Sequence, residues 1–310
     1  MRTCHRFLAL VSTALLLAAA GCEGSGGTIS LNDYQAQFES ALCEKFVACG
    51  IEPSVEVCKL GRTERNRFPQ IVAGAGAGRA GYDGDAARQC VDTIKHLECS
   101  SFSFNSEGAI CNKVFTPKVP VAGTCYADEE CTTHVCSQVC PGDECCAGKC
   151  IGQVPAGEGE SCLDAGCDFE HACIEDAATG TATCKPRLAE GAACVPSDNK
   201  CQPGLVCPSG TCKRLPDTGE SCAGVGQCDD LTQACSPINQ TCVARRQPGE
   251  ACSMQSFQSD CVFYAKCTNG VCEALALLGE DCSQKECVRG TRCGAGVKCT
   301  AVDPQPICGQ

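Results

Sequence analysis

Thirty-six cysteines among 310 residues decide what kind of fold this chain can reach. Cysteine usage above roughly 8–10% makes a disulfide scaffold the default reading. Thiols at that density persist as structure only where oxidation is allowed: a periplasm, a cell surface or a medium. The apolar fraction of 44% does not argue for a large core, because Cys and Ala inflate it while Trp is absent and aromatics make up 5%. After position 119 the aromatics are Tyr126, Phe169, Phe257, Phe263 and Tyr264. Cross-links must therefore stand in for burial over most of the chain.

The first residues supply a route out of the cytosol. Arg2 and Arg6 precede an almost wholly apolar run, Phe7 to Ala20, which ends in Gly21-Cys22; this pattern predicts a signal peptide over residues 1–21. The run is shorter than the roughly 20 residues an ordinary membrane-spanning helix needs. Ala19-Ala20-Gly21-Cys22 resembles a bacterial lipobox with Ala19 where Leu is commonest, which implies acylation of Cys22. Cleavage after Ala18-x-Ala20 and release of a secreted chain is the alternative. Removing residues 1–21 leaves 35 cysteines and acylation of Cys22 leaves 34, an even number for bridging. Residues 22–27 then read as a lipid-anchored Cys and a flexible Gly/Ser tether. Loss of Arg2 and Arg6 also takes the net charge from −12 to −14, which argues against nucleic acid as a partner.

Residues 28–118 carry helical periodicity. Leu31, Tyr34, Phe38, Leu42, Phe46 and Cys49 recur at spacings of three and four, with Ser30 as a cap and Gly50 as a stop. A second helix is expected over 85–98, capped by Asp83 or Asp85, with Ala87, Val91, Ile94 and Leu97 or His96 inward. The six cysteines here are Cys43, Cys49, Cys58, Cys90, Cys99 and Cys111. Cys43 and Cys49 would lie about 9 Å apart along one helix axis, too far to bond to each other. The same argument separates Cys90 from Cys99, so the bridges must run between segments, and their pairing stays open. The expectation is a helical hairpin pinned to its connecting loop.

From 119 to 310 the chain repeats, with units starting at Cys125, Cys162, Cys194, Cys222, Cys252 and Cys282. Gly-Glu-x-Cys opens four of them, bringing Glu160, Glu220, Glu250 and Glu280 to equivalent positions. Several close as Cys-x-x-Gly-x-Cys, from Cys207 to Cys212 and from Cys267 to Cys272, where Gly supplies the positive φ of a tight turn. Each unit is read as a small hairpin held by two bridges worth roughly 3 kcal/mol apiece, strung as elongated beads with joints near Pro155, Pro216 and Pro248. The fold class is thus small and disulfide-rich: an N-terminal disulfide-pinned α-helical domain followed by a tandem array of short β-hairpin, cysteine-rich repeats.

Cys125-Tyr126-Ala127-Asp128-Glu129-Glu130-Cys131, the adjacent Cys145-Cys146 and the Cys-x-x-Gly-x-Cys closures resemble the N-terminal cysteine-rich domain of Dickkopf proteins. EB-type and EGF-like modules are a looser match. The whole arrangement resembles the multi-repeat cysteine-rich lipoproteins that some soil bacteria place on their outer surface. The resemblance covers mainly residues 120–310 and implies an extracellular binding module. Dickkopf proteins are secreted antagonists of Wnt signalling, which implies as the alternative a secreted, inhibitor-like effector of a protein partner.

Chemistry is sparse. Gly76-Ala77-Gly78-Arg79-Ala80-Gly81 matches a dinucleotide pattern, but Phe68 to Ala73 makes a poor preceding strand, and an interhelical loop is expected instead. No Cys-x-x-Cys occurs, against zinc or redox sites. His96, His134 and His171 form no metal-binding spacing, and Gly-x-Ser-x-Gly is missing. The repeated Glu reads as a solvent-facing turn residue, not a calcium ligand. Lys59, Arg62, Arg65 and Arg67 form a basic cluster in an expected loop near the anchor. The chain is therefore expected to be no enzyme, to hold no metal or cofactor, and to be exported to the outer membrane or cell surface. There it would bind an unidentified protein or polysaccharide, or serve as a structural coat component.

Overall fold

The computed structural model describes residues 27–63, 68–99, 111–138, 146–163, 166–176, 179–196, 200–223, 228–229, 231–236, 239–255, 258–303 and 307–308. The signal segment, Cys22 and Cys145 lie outside them, as do Arg65 and Arg67.

The predicted first helix is α1, Leu31–Ala48, capped by Ser30, whose hydroxyl accepts from the Asp33 amide at 3.3 Å. The expected second helix is the fourth in the chain: α4, Gly84–His96, with Asp83 Oδ1 accepting from the amides of Asp85 and Ala86. Two further helices replace the loop expected between them, α2 (Val55–Thr63) and α3 (Phe68–Gly76). Both are about two turns long, too short for a periodic apolar stripe to stand out from sequence. They form because they can lie on α1, with Cys43–Cys58 riveting α2 to it. Cys49–Cys99 ties the end of α1 to the exit of α4, and Cys90–Cys111 ties α4 to the segment that follows.

The dinucleotide-like glycines run in the order helix, turn, strand. Gly76 ends α3, and Ala80 opens β1 (Ala80–Tyr82), which pairs antiparallel with β2 (Phe115–Pro117). A phosphate cradle needs the opposite order, strand then helix. The core of this domain collects five aromatic rings. Tyr34 lies 5.3–5.9 Å from Phe38, Phe68, Tyr82 and Phe115, and Phe38 stacks on Phe68 at 5.0 Å. Five of the chain's fourteen aromatic residues are spent here.

The six units share one wiring. The first cysteine bonds the third and the second bonds the fourth: Cys162–Cys173 with Cys167–Cys184, Cys194–Cys207 with Cys201–Cys212, Cys222–Cys235 with Cys228–Cys242. Cys252–Cys267 with Cys261–Cys272 and Cys282–Cys293 with Cys287–Cys299 follow suit. The first unit keeps the pattern with Cys125–Cys136 and Cys131–Cys150, while Cys146 and Cys308 are bridged as well. Each unit's core consists of its own bridges plus an occasional Ala, Val or Leu.

The repeated Gly-Glu has a defined task. In Gln247-Pro248-Gly249-Glu250 the Glu250 amide donates to Gln247 O, Gly249 sits at φ +90°, and the Gly249 amide donates to Cys272 O at 2.8 Å. That is a type II turn, which needs glycine at its third place, pinned to the unit's last cysteine. The Glu250 carboxylate then closes the turn from outside, accepting from the Gln247 amide at 2.6 Å. Glu160, Glu220 and Glu280 do the same to Gly157, Asp217 and Leu277.

The expected elongated string is not what forms. Linker residues bond in both directions: Arg245 N donates back to Thr232 O, while Arg246 N donates forward to Asp260 O and Arg246 O accepts from Val262 N. Such joints hold neighbouring units in fixed register, and the array returns to the helical domain. Leu231 of the fourth unit packs on the helical core, and Thr232 Oγ1 donates to Cys99 O at 3.5 Å. In the sixth unit Gly290, at φ +79°, lies so close to α2 that a Cβ would stand 2.1 Å from Leu60 O. Finally the Gln70 side chain of α3 both donates to Cys308 O and accepts from Cys308 N, each at 2.6 Å. Short-range spacing could not reveal this, because every contact joins positions more than a hundred residues apart.

Candidate functional site

Where the rim of repeats meets the helical hub, the turn after α1 and units four to six enclose a cleft of about 680 Å³. Phe46, Ile51, Leu231, Val262 and Val288 give it apolar walls, and Glu52, Arg245, Tyr264 and Arg289 supply polar groups. Arg245 is fixed: Nη1 donates to the carbonyls of Ser259 and Cys261, both at 3.0 Å, and the guanidinium lies 4.6 Å from the Phe263 ring centroid. Burial pushes the Glu52 carboxyl above its usual range, with Arg289 opposing that shift. Burial, with the Glu52 charge adding to it, also raises the Tyr264 phenol, which donates to Gln247 Oε1 at 2.7 Å. Apolar walls with a few convergent charged groups suit a ligand that carries both an apolar face and charge.

The junction between helical domain and first unit is a second concentration of charge. Glu130, fully buried, accepts from Arg79 Nε and from the Tyr126 amide, each at 2.9 Å, and Arg79 lies 4.8 Å from the Tyr126 ring centroid. Gly74 leaves the room, since a Cβ there would stand 2.3 Å from Glu130 Oε1. This constellation is a clasp between two parts of the chain.

The residues singled out from sequence fall as follows. Cys43, Cys49, Cys58, Cys90, Cys99, Cys111, Cys125, Cys131, Cys207, Cys212, Cys267 and Cys272 are all bridged, as is Cys146. Sulfurs clustered at the unit centres, such as Cys252, Cys261 and Cys272 beside Asp260, are spent in bridges and offer no thiolate to a metal. Lys59 and Arg62 lie on a helix, not a loop, and face α1: Lys59 Nζ donates to Ser40 Oγ at 3.0 Å and Arg62 lies 5.9 Å from the Phe38 ring centroid. His96 is exposed at the end of α4 with Nδ1 2.7 Å from Asp92 O. His171 Nδ1 lies 2.5 Å from Asp168 Oδ1, a hydrogen bond that raises its pKa. The cleft residues Glu52, Arg245, Phe263, Tyr264 and Arg289 were missed from sequence. Their one local signal is Phe263-Tyr264, a pair of aromatics in a region that otherwise spends almost none.

No family model matches the chain, and no solved structure matches it. Cell-cell adhesion glycoprotein 64 of Heterostelium pallidum is 33% identical over 124 residues, which cover 36% of this chain and 38% of that protein. The chain thus spans well under two thirds of the length of this relative. It is a cysteine-rich, disulfide-pinned repeat protein of extracellular or cell-surface type with a distant adhesion-glycoprotein homologue. Among the described residues, no helix is long and apolar enough to cross a membrane.

Proposed function

We propose that the chain is a cell-surface adhesion module that acts by binding a protein or polysaccharide at the hub–rim cleft, and that it performs no catalysis. The observation that carries this reading is the cleft itself. Four stretches distant in sequence are brought together by bridged units, so its polar groups face one space, with Arg245 already fixed, before a ligand arrives, which lowers the cost of binding. Similarity to an adhesion glycoprotein supports the same reading. The net charge of −12 speaks against nucleic acid.

The test is binding of the bridged chain to intact cells, comparing wild type with Arg289→Glu and with Glu52→Lys. A fall of about tenfold or more, equivalent to about 1.4 kcal/mol, is expected for each. Undiminished binding by both variants overturns the cleft, and lack of binding by the wild type overturns adhesion.

Attachment through an acylated Cys22 completes the proposal. The apolar run 7–20 and the Ala-Gly-Cys sequence support it, and the tether 23–27 would let the hub stand off the bilayer. Palmitate labelling that survives Cys22→Ala would refute it. The Ala18-x-Ala20 cleavage motif favours a second reading, release as a Dickkopf-like or inhibitor-like effector, for which the chain would be found unlabelled in the medium.

A further inference from the structure

The fourth unit carries Asn239-Gln240-Thr241, an acceptor pattern for N-linked oligosaccharide. The pattern alone is a weak signal, so the geometry decides. Asn239 and Gln240 are exposed, in the turn that joins the strands Gln233–Cys235 and Cys242–Ala244. Gln240 adopts φ +52°, which folds the chain back on itself there. The Thr241 hydroxyl consequently reaches the Asn239 side chain, with Oγ1 donating to Oδ1 at 2.8 Å. This bond engages the amide's oxygen and leaves its nitrogen, the atom to be modified, out of the contact.

The position suits a bulky group. The base of the hairpin, Leu231 and Thr232, is packed against the helical hub, whereas the turn lies beyond the Cys235–Cys242 pairing at the opposite end. Ser236, Gln240 and Thr241 are also held: Gln240 N donates to Ser236 O, Ser236 N to Thr241 O, and Cys222 N to Gln240 O. By contrast Asn199-Lys200-Cys201 has no hydroxyl at its third place, and Cys201 is bridged to Cys212.

We infer that Asn239 is an N-glycosylation site and that Thr241 is its positioning residue. The donor is an oligosaccharide linked to a polyprenyl diphosphate. Asn239 Nδ2 forms a bond to the anomeric carbon of the first sugar, and the bond from that carbon to the diphosphate oxygen breaks. The diphosphate leaves with the electron pair, and one Nδ2 proton passes to a base of the transferase. The inference rests on the cell-surface reading, since the donor is met only on export, but not on how the chain is anchored.

The experiment is glycopeptide mapping of the bridged chain recovered from the surface or medium of the producing cells. Mass spectrometry is run before and after peptide-N-glycosidase, which converts a glycosylated Asn to Asp. The expected result is a glycan on the Asn239 peptide, complete loss of it in Asn239→Gln and Thr241→Ala, and its retention in Thr241→Ser and Asn199→Gln. An exported, bridged chain that is bare at Asn239 overturns the site alone. A chain retained inside the cell with residues 1–21 still attached overturns the cell-surface reading and the site with it.

Discussion

Truncating Glu130 to Ala tests whether hub and rim are clasped by charge. The variant removes the acceptor of Arg79 Nε and of the Tyr126 amide, both at 2.9 Å, inside a site where the Glu130 side chain is fully buried. Breaking a buried ion pair on one side costs about 3–5 kcal/mol, mostly from the charge left without a partner. Arg79 retains 18% exposure and its stack on Tyr126, which places the cost at the lower end, about 3 kcal/mol. The clasp opens locally, so the readout is native-state amide exchange at Tyr126, Lys118 and Val119; the latter two amides donate to Glu130 O. Their exchange should accelerate by about 150-fold. Removing both charges together, as Arg79→Met with Glu130→Met, strands neither charge and should recover most of the protection at Lys118 and Val119, whose acceptor is the Glu130 backbone carbonyl, while the Tyr126 amide stays without its acceptor. Exchange in Glu130→Ala within about twofold of wild type would refute the clasp.

Replacing Glu250 by Ala removes the outer closure of the fifth unit's turn and should cost about 1 kcal/mol, read as about fivefold faster exchange of the Gln247 amide. The hydrogen bond that the His171 ring donates to the Asp168 carboxylate raises its pKa, so the fold favours the protonated ring. Its stabilising contribution is present below the usual value of about 6.5 and fades as pH rises through the raised one. A ring-proton NMR titration should show the raised midpoint, and Asp168→Asn should lower it, with the charges of Glu158 and Glu170 left to act. Burial, with the charges of Asp33 and Asp83 adding to it, pushes the Tyr82 phenol up to about 12, while its hydroxyl donates to Ile29 O at 2.8 Å. Ultraviolet titration should find a tyrosine that stays neutral past the ordinary value of about 10 and that disappears in Tyr82→Phe; the stability tied to it is lost only as pH climbs toward the higher value.

Sequence was most informative where one local rule governs. Period-three-and-four spacing and Ser30 marked α1, Asp83 marked α4, and helix geometry excluded Cys43–Cys49. The repeat spacing marked two-bridge hairpins. It did not mark the task of Glu160, Glu220, Glu250 and Glu280, because their carboxylates act on an amide three residues back, a contact that a solvent-facing turn residue and a turn cap share in pattern. α2 and α3 were lost for a different reason. Each spans nine residues, and isolated helices that short are marginal without tertiary support, so what makes them helical is α1 and not their own sequence.

The return of the array to the hub follows from the same shortage that makes the chain cysteine-rich. A unit whose core is two bridges has almost no apolar face with which to hold a neighbour, so its joints depend on backbone bonds such as those flanking Arg246. Backbone bonds fix direction at every joint, and a fixed turn repeated from unit to unit makes a curve. A curve of this length brings units four and six against the helical hub, where Leu231 packs on the apolar core and Gly290 lies against the Leu60–Gly61 backbone of α2. The cleft is what remains where that closure is imperfect. Its charged groups come from three stretches, of which neither the hub nor any unit holds more than a part. It follows that opening the rim at Gln70 and Cys308, outside the lining of the cleft, should weaken ligand binding as surely as changing Arg289.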